Sequence, residues 1–280
     1  MPNHLTSENM QHRETRAAIT GGTHGLGFAI ASRLIREGAQ GIAVCGRDAS
    51  QGATAEAELR ELGEALYGRA PAVAYIQADL ADPGQATGFV ERAIERLGTL
   101  NGLVNNAGIP SRGGLLDTDL ETWEKHMAVN LRAPFLTMQA FVGHLVQRGA
   151  PGQIVNILSM VVHCGQSYLT PYSASKGGLA TLTKNVANAF VGKRIRCNGV
   201  LTGWMETAGE AEIQKKYHGA GDDWAEKAAA ELPMGQLVQP EQLAGLVSYM
   251  LSPESGVMTG SLVDYDQVVP GAYPESIERQ

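Results

Sequence analysis

A serine, a tyrosine and a lysine in the middle of the chain have the types and the spacing of a proton-transfer site. Tyr172 and Lys176 stand four residues apart in a predicted helix, so their side chains share one face. Ser159 lies thirteen residues before Tyr172, just past a predicted strand. An ammonium group below a phenol lowers the pKa of the phenol, and a serine hydroxyl stabilises charge that develops on an oxygen. The three residues can therefore move a proton on and off an alcohol oxygen, although the Tyr–Lys pair alone is typical of a helix surface.

A glycine-rich turn near the start of the chain is the second chemical feature. From Thr20 to Gly27 the glycines have the spacing Gly-x-x-x-Gly-x-Gly, after a predicted strand and before a predicted helix. Such a turn lets the backbone approach a pyrophosphate, and the helix offers unpaired N–H groups and the positive end of its dipole. We predict a dinucleotide site here, with contacts from Gly21, Thr23, His24, Gly25, Leu26 and Gly27.

The residue that follows the second strand bears on the choice between the two nicotinamide cofactors. An acid at this position binds the ribose hydroxyls of NAD and repels a 2′-phosphate, but this chain has Gly46 and Arg47. Arg47 can pair with a phosphate dianion, and His24 adds a second donor. The alternative for Arg47 is a solvated loop arginine. We predict NADP, with NAD as a possible cofactor.

Two further loops complete the predicted cofactor site. After the fourth strand, the small residues Asn106, Ala107 and Gly108 allow the backbone to pack beside a ribose. After the third strand, Asp79 is predicted to reach the adenine, with Leu80 beside it. A helix-capping or solvated carboxylate is the alternative for Asp79.

The elements that must position these residues alternate between strand and helix. Strands are predicted at residues 17–20, 42–45, 73–77, 100–104, 153–158 and 194–201. Asp82 and Pro83 are predicted to begin one of the helices, and Asp119 begins a long helix that we expect to bend at Pro134. This alternation predicts an α/β fold, a doubly wound parallel sheet of the Rossmann type with helices on both faces. Ligands bind such sheets outside the carboxyl ends of the strands, where the motifs above fall.

The chain is long enough for one large domain, and we predict a single domain over residues 1–280. Residues 1–15 are polar and mixed, and we expect them to form a flexible N-terminal extension. Between residues 204 and 232 the strand pattern gives way to a polar, helix-prone insertion that carries Trp204, Tyr217 and Trp224. We expect this insertion to be a substrate lid.

Composition and charge restrict the classes of partner. The net charge of −7 disfavours a nucleic-acid surface or a basic membrane-binding face, and a small-molecule substrate is the simpler expectation. We find no apolar run of transmembrane length and no signal peptide, which predicts a soluble, cytoplasmic protein. Three scattered cysteines predict buried reduced thiols, and the spacing of the seven histidines predicts no metal site.

With these residues in hand, the chain resembles the short-chain dehydrogenase/reductase family over about Arg16 to Asp266. The resemblance is carried by the glycine turn, by Asn105-Asn106-Ala107-Gly108, by Ser159, and by the run from Tyr172 to Lys176. By analogy, Asn130 corresponds to the fourth catalytic residue of the family, which holds a water that links the lysine to solvent. Without the family, Asn130 is a buried structural amide.

The resemblance implies hydride transfer between a nicotinamide and a carbon atom, with the organic step supplied by the cofactor. Tyr172 then handles the hydroxyl proton, Lys176 also binds the nicotinamide ribose, and Ser159 positions the carbonyl. The cofactor site would extend to Gly203, Met205 and Thr207, with a helix-capping threonine as the alternative for Thr207. The family further implies a homo-oligomer, either a tetramer or a dimer.

The chain departs from the family pattern at two places. Thr202-Gly203 stands where many relatives have Pro-Gly, which can alter the loop over the nicotinamide. Asp264-Tyr265-Asp266 stands where many relatives have Asp-Gly-Gly after the last strand, which adds bulk to a region that is often a subunit contact.

The substrate pocket is predicted to combine apolar walls with a few polar groups. Its expected members are Ser159, Met160, Val161, Val162, His163, Gln166, Tyr168, Trp204 and Met205. This mixture suits a small polyol, sugar or hydroxy acid better than a long acyl chain, but core packing explains most of these residues equally well. Cys164 is expected to pack.

Two other functions fit part of the pattern. A non-catalytic NADP-binding sensor or scaffold would need the glycine turn but neither Ser159 nor the phenol of Tyr172. An epimerase or dehydratase can share the Tyr-x-x-x-Lys pair, but such relatives usually carry a longer carboxy-terminal substrate domain. The sequence therefore favours an alcohol or ketone oxidoreductase.

Overall fold

A parallel β-sheet forms the centre of the molecule. The computed structural model describes residues 11–272, and within them seven strands pair in the order β3-β2-β1-β4-β5-β6-β7. Their bounds are β1 Arg16–Ile19, β2 Gly41–Gly46, β3 Ala72–Gln77, β4 Gly102–Asn105, β5 Gly152–Ile157, β6 Ile195–Thr202 and β7 Leu262–Tyr265. Because β1 pairs with both β2 and β4, the strand order reverses between β1 and β4. This reversal opens a crevice at the carboxyl ends of the strands.

Helices cover both faces of the sheet. Those of the described chain are α1 Gly25–Arg36, α2 Ala49–Tyr67, α3 Pro83–Leu97, α4 Leu120–Met127, α5 Ala133–Arg148, α6 Thr170–Phe190, α7 Ala208–His218, α8 Trp224–Glu231 and α9 Pro240–Leu251. Successive strand residues point to opposite faces, so Ala17 and Ile19 pack with α1, α2 and α9. Ala18 packs with α3, α5 and α6 on the other face. The predicted doubly wound α/β fold is confirmed.

The long helix predicted from Asp119 is interrupted before its proline. Asp119 caps α4 by accepting the backbone N–H of Thr122 at 2.7 Å, as its position predicts. The irregularity is a π turn, Ala128–Arg132, which lies one turn before Pro134. A proline ring clashes with the carbonyl four residues earlier, here that of Asn130, and the wider π turn relieves that contact. The interruption therefore lies before Pro134, and the bend at Pro134 itself stays a prediction.

The residues just before β1 pack against the fold, contrary to the predicted flexible extension. His12 is fully buried, and its Nε2 lies 2.9 Å from the Ser248 hydroxyl of α9. Its Nδ1 lies 2.8 Å from the Thr15 hydroxyl, and its backbone N–H donates to the carbonyl of Glu37. These contacts overturn the prediction for residues 11–15, whereas residues 1–10 lie outside the described residues.

The insertion predicted between residues 204 and 232 contains α7 and α8 and a small apolar cluster. Trp224 and Ala228 form that cluster with Leu237, which follows the segment, and a parallel bridge joins Met205 near the start of the segment to Val238 just after it. No helix within residues 11–272 has the length and hydropathy of a membrane span.

Candidate active site

A cleft of about 900 Å³ opens at the carboxyl ends of the strands. It brings together residues from the glycine turn, the loops after β4, β5 and β6, α6 and α7. The predicted site residues that line it are Leu26, Asn106, Gly108, Ser159, Met160, Val161, His163, Gln166, Tyr168, Tyr172, Lys176, Gly203, Trp204, Met205 and Thr207. The two halves of the chain that carry the motifs therefore share one site.

Lys176 lies at the buried base of this cleft. Its side chain is 3% exposed, and its Nζ donates to the carbonyl of Ile157 at the end of β5, over 2.7 Å. The same Nζ stands 5.8 Å from the ring centroid of Tyr172, one turn earlier on α6. Loss of hydration lowers the pKa of Lys176 to about 8. The ammonium is therefore held by one carbonyl and is ready to lose or gain a proton.

The phenol of Tyr172 has a different electrostatic setting from the predicted one. Burial raises the pKa of Tyr172, while the neighbouring Ser159 hydroxyl lowers it. We predicted that the Lys176 ammonium lowers the pKa of Tyr172, but the ammonium is directed to the Ile157 carbonyl, and dehydration dominates. Tyr172 is therefore a protonated phenol at neutral pH, which is the form of a proton donor.

Ser159 follows β5 and begins a short 3₁₀ turn, Met160–Val162. Its side chain is 8% exposed, and its Oγ accepts the backbone N–H of Val161 at 3.4 Å. With that acceptor contact made, the Ser159 O–H can donate to a substrate oxygen.

Asn130 lies in the π turn and is fully buried. Its Oδ1 accepts the N–H of Ile109 at 2.8 Å, and its Nδ2 donates to the Ile109 carbonyl and to the Ser175 hydroxyl, both at 3.1 Å. A Cβ on Gly108 would lie 3.5 Å from both Asn130 Oδ1 and Lys176 Nζ, so the two side chains face each other across this glycine. The structural amide is thus observed, and the water-holding role stays a prediction.

The glycine turn needs its glycines for two reasons. Gly21 and Gly25 have positive φ of 63° and 54°, and a Cβ on Gly27 would lie 2.2 Å from the Gly21 carbonyl oxygen. Asn106 fixes the turn, because its Nδ2 donates to the carbonyls of Thr20 and Gly21 at 3.0 Å each. The loops after β1 and β4 are thereby joined into one surface.

The N-terminus of α1 fits a pyrophosphate. His24 stands at the N-cap but makes no side-chain cap bond, and the first turn of this fully described helix contains no acid. In contrast, Asp48, Asp82, Asp119 and Thr207 cap α2, α3, α4 and α7 by accepting a backbone N–H. The first N–H groups of α1 are therefore available to an anionic ligand.

Arg47 and His24 stand beside this helix end rather than in the cleft. A Cβ on Gly46 would lie 2.9 Å from the Thr23 hydroxyl, so β2 ends against the glycine turn, and Arg47 follows with an exposed side chain. Gln77 Nε2 donates to the Arg47 carbonyl at 2.9 Å, and His24 Nδ1 lies 3.1 Å from the Thr23 hydroxyl.

Several other predicted residues make contacts within the protein, and the predicted cofactor contacts of Asp79, Leu80 and Ala107 stay predictions. Asp79 is exposed and its Oδ1 accepts the N–H of Ala81 at 3.0 Å, whereas Leu80 is buried in the core. The backbone N–H of Ala107 donates to the Thr20 hydroxyl at 3.0 Å. Val162 packs against the core instead of lining the cleft, because it lies on the inner side of the 3₁₀ turn. Cys164 is exposed on the cleft wall instead of packing.

The two departures from the family pattern meet in space. A Cβ on Gly203 would lie 2.2 Å from Asp266 Oδ1, and the N–H of Gly203 donates to the Tyr265 carbonyl. Asp264 and Tyr265 belong to β7 and do not follow it, which corrects the predicted end of the last strand. Asp264 Oδ1 lies 2.8 Å from Nε2 of His163, so this carboxylate orients a histidine of the cleft wall.

Sequence reasoning missed four polar residues of the cleft wall. Arg112 follows the Asn105–Gly108 motif by four residues, and Glu210, Gln214 and His218 lie four residues apart along α7. That spacing places the three α7 residues on one helix face, a signal that was available within the predicted lid.

The sequence is similar to those of known reductases and dehydrogenases. A family model described as enoyl-(acyl carrier protein) reductase matches residues 21–267. The chain is 33% identical to 2-(S)-hydroxypropyl-CoM dehydrogenase 3 of Xanthobacter autotrophicus over 89% of this chain and 94% of that protein. It is 34% identical to human (3R)-3-hydroxyacyl-CoA dehydrogenase, over 90% and 94%.

Solved structures give the same result. The fold matches a short-chain type dehydrogenase/reductase from Mycobacterium marinum with a TM-score of 0.80 and 29% identity, over 93% of this chain and 97% of that one. It matches a variant of actinorhodin polyketide ketoreductase crystallised with NADPH with a TM-score of 0.81 and 30% identity, over 91% and 97%. The chain therefore belongs to the short-chain dehydrogenase/reductase family of oxidoreductases.

Proposed function

We propose that this oxidoreductase interconverts a small, hydroxyl-bearing alcohol and its ketone, with NADP as the preferred cofactor. The observation that carries the proposal is the convergence of Ser159, Tyr172 and Lys176 on one cleft beside the uncapped N-terminus of α1. The nicotinamide cofactor predicted from the glycine turn is also the cofactor type of the family. The substrate and the preference for NADP are the parts that we propose.

The cofactor would be held by residues whose geometry suits its parts. Backbone N–H groups at the start of α1 face the pyrophosphate, and Gly21 and Gly27 allow the close approach. Arg47 and His24 stand where a 2′-phosphate would lie, and the exposed guanidinium of Arg47 can pair with it. When bound, the nicotinamide supplies or accepts the hydride at the substrate carbon.

The protein residues handle the proton. In the direction of reduction, Ser159 donates a hydrogen bond to the carbonyl oxygen, and Tyr172 donates its proton as that oxygen becomes an alkoxide. The raised pKa of Tyr172 keeps the phenol protonated for this step. Lys176, with a pKa of about 8, is a stronger acid than the phenol and passes a proton back to the phenolate that remains. Asn130, across Gly108 from Lys176, would hold the water that resupplies the proton.

The segment from residue 204 to 232 would act as the substrate lid. It contributes Trp204, Glu210 and Gln214 to the cleft wall and has its own small apolar cluster around Trp224. A segment that packs mainly on itself can move as a unit relative to the sheet.

We also propose a cytoplasmic homo-oligomer, a tetramer or a dimer. A groove of about 630 Å³ between α4, α5 and α6 is lined by Met127, Leu131, Phe135 and Leu182, and Phe135 is 45% exposed. Such an apolar face suits a contact with a second copy. The buried, unpaired thiols of Cys45 and Cys197 fit a reducing compartment. Light scattering coupled to gel filtration tests the assembly.

The test of the function is a spectrophotometric screen. Purified protein is mixed with NADPH or NADH and a panel of small hydroxyketones, and with NADP and the corresponding diols. We expect consumption of NADPH with at least one hydroxyketone. Calorimetric binding of NADP without turnover of any compound would favour the non-catalytic sensor.

A further inference from the structure

An arginine and a glutamate face each other across the cleft near the catalytic tyrosine. Arg112 comes from the loop between β4 and α4, and Glu210 comes from the first turn of α7. Both side chains line the cleft, with exposed fractions of 16% and 15%. Arg112 Nη2 lies 3.8 Å from Glu210 Oε1, which is an ion pair but too long for a hydrogen bond.

Arg112 is fixed in place but keeps donors to spare. Its Nε donates to His218 Nε2 at 3.3 Å, its Nη1 donates to the Pro110 carbonyl at 3.0 Å, and its guanidinium lies 5.5 Å from the centroid of the Tyr168 ring. Among the described residues, these bonds use two of its five N–H groups. A largely buried guanidinium with three donors left over favours a ligand that accepts hydrogen bonds.

Glu210 is the matching acceptor. Its Oε1 accepts from Trp204 Nε1 at 2.9 Å and from Gln214 Nε2 at 2.7 Å. Within the described chain its Oε2 accepts no hydrogen bond, so one carboxylate oxygen remains for a donor from a ligand. The carboxylate is thereby fixed from two sides while half of its acceptor capacity is unused.

The charges of Arg112 and Glu210 both act on the phenol of Tyr172. The charge of Glu210 raises the pKa of Tyr172 and the charge of Arg112 lowers it, after the larger effects of burial and of Ser159. Arg112 and Glu210 also line the same cleft as Ser159 and Tyr172, so a substrate whose carbonyl is bound by Ser159 and Tyr172 can extend its next functional group toward this pair.

We propose that Arg112 and Glu210 select a substrate that carries an uncharged hydroxyl next to the reacting carbon, and reject the corresponding carboxylate. A hydroxyl accepts a hydrogen bond from Arg112 and donates one to Glu210, whereas a carboxylate only accepts and meets the like charge of Glu210. This inference rests on the proposed function, since it assumes that the cleft binds an alcohol or a ketone. It names two residues that decide the substrate class.

The experiment compares two substrates that differ in one group. Hydroxyacetone and pyruvate have the same methyl ketone, and they carry a hydroxymethyl and a carboxylate group respectively. The measured quantity is the ratio of kcat/KM for pyruvate to kcat/KM for hydroxyacetone, with NADPH at saturation. We expect Glu210→Gln to raise this ratio by about tenfold or more, because the guanidinium is then uncompensated. Arg112→Gln should lower the ratio by a similar factor, because the carboxylate of Glu210 is then alone.

A matched control separates charge recognition from lid stability. Lys215 and Asp222 form an exposed ion pair at 2.7 Å in the same segment, away from the cleft wall. Asp222→Asn removes one negative charge from the lid, as Glu210→Gln does, and should leave the ratio within about twofold of wild type. A merely structural role for Arg112 and Glu210 would shift both substrates together and could not move the ratio in opposite directions.

A binding measurement keeps this inference separate from the proposed function. In a Tyr172→Phe background with NADP bound, tryptophan fluorescence gives the Kd of each compound, with Trp204 as the reporter beside Glu210. The inference holds and the proposed function fails if the protein with Tyr172 intact turns over neither compound, but Glu210→Gln and Arg112→Gln shift the Kd ratio in opposite directions. If both are turned over with unchanged ratios, the inference fails alone. Unchanged ratios in both assays, or no binding of hydroxyacetone, overturn the inference.

Discussion

Replacing Lys176 with methionine should remove a pH dependence of stability that the structure attributes to this one buried group. The pKa of Lys176 falls from its ordinary 10.5 to about 8 on folding, because burial takes the ammonium out of water. Between these two values the unfolded chain holds a proton that the native protein has lost. The free energy of unfolding therefore rises with pH in this window by up to about 1.4 kcal/mol per pH unit, on the order of 3 kcal/mol in all.

Outside this window Lys176 makes no contribution to the pH dependence of the free energy of unfolding. Below pH 8 both states carry the proton, and above about 10.5 both have lost it, so Lys176 then adds no slope. Lys176→Met has no titrating group at this position. The free energy of unfolding of wild type should therefore rise relative to that of Lys176→Met as pH rises from about 8 to 10.

The assay is urea denaturation of both proteins at several pH values across this range, and the result is the difference between the two curves. The difference cancels the effects of Cys45 and Cys197, whose pKa values burial raises to about 12 in both proteins. Lys184→Met, at an exposed position of the same helix, is the control and should show no such divergence. Parallel curves for wild type and Lys176→Met would refute the reasoning.

Three further predictions concern the cofactor and the proton. Arg47→Ala should raise the Kd for NADP by about tenfold or more, because a charge-assisted bond to the 2′-phosphate is lost, and should leave the Kd for NAD within about twofold of wild type. Calorimetry measures both values, and an equal rise for the two cofactors would contradict the NADP preference. Gly27→Ala should lower the free energy of unfolding by about 1–3 kcal/mol and weaken the binding of both cofactors, because the added methyl group meets the Gly21 carbonyl oxygen. Unchanged stability in urea denaturation and unchanged cofactor binding would disprove the close contact. Because burial raises the pKa of Tyr172, alcohol oxidation should speed up from about pH 7 to 9 in initial-rate assays, and a fall would argue against Tyr172 as the base.

The parts of the fold that follow from local pattern were predictable from the sequence. Alternating apolar strands and amphipathic helices predict the parallel sheet, and the cap at Asp82 and Pro83 is where the sequence places it. The π turn before Pro134 was not predictable, since a proline can be accommodated by a kink, a break or a widened turn. The burial of His12 depends on Ser248, which is far away in the sequence.

The candidate site also has parts that local sequence motifs predict and parts that depend on contacts between distant residues. Ser159 follows the carboxyl end of β5, and Tyr172 and Lys176 lie in the first two turns of α6, the next long helix after that strand. A helix that follows a parallel strand begins at the edge of the sheet where the strand ends, so the three residues come together there. The direction of the pKa of Tyr172 depends on where the ammonium of Lys176 points, and that is set by the Ile157 carbonyl. The pairing of Arg112 with Glu210 joins two loops and needed the structure.

The central claim is that the phenol of Tyr172 transfers the substrate proton in an NADP-dependent reaction. The most direct measurement is turnover of wild type and Tyr172→Phe with NADPH and a hydroxyketone, together with the Kd for NADP in each. We predict a loss of turnover of roughly 10²-fold or more with a nearly unchanged Kd, the scale expected when a general acid is lost. Near-normal turnover in Tyr172→Phe would contradict the account.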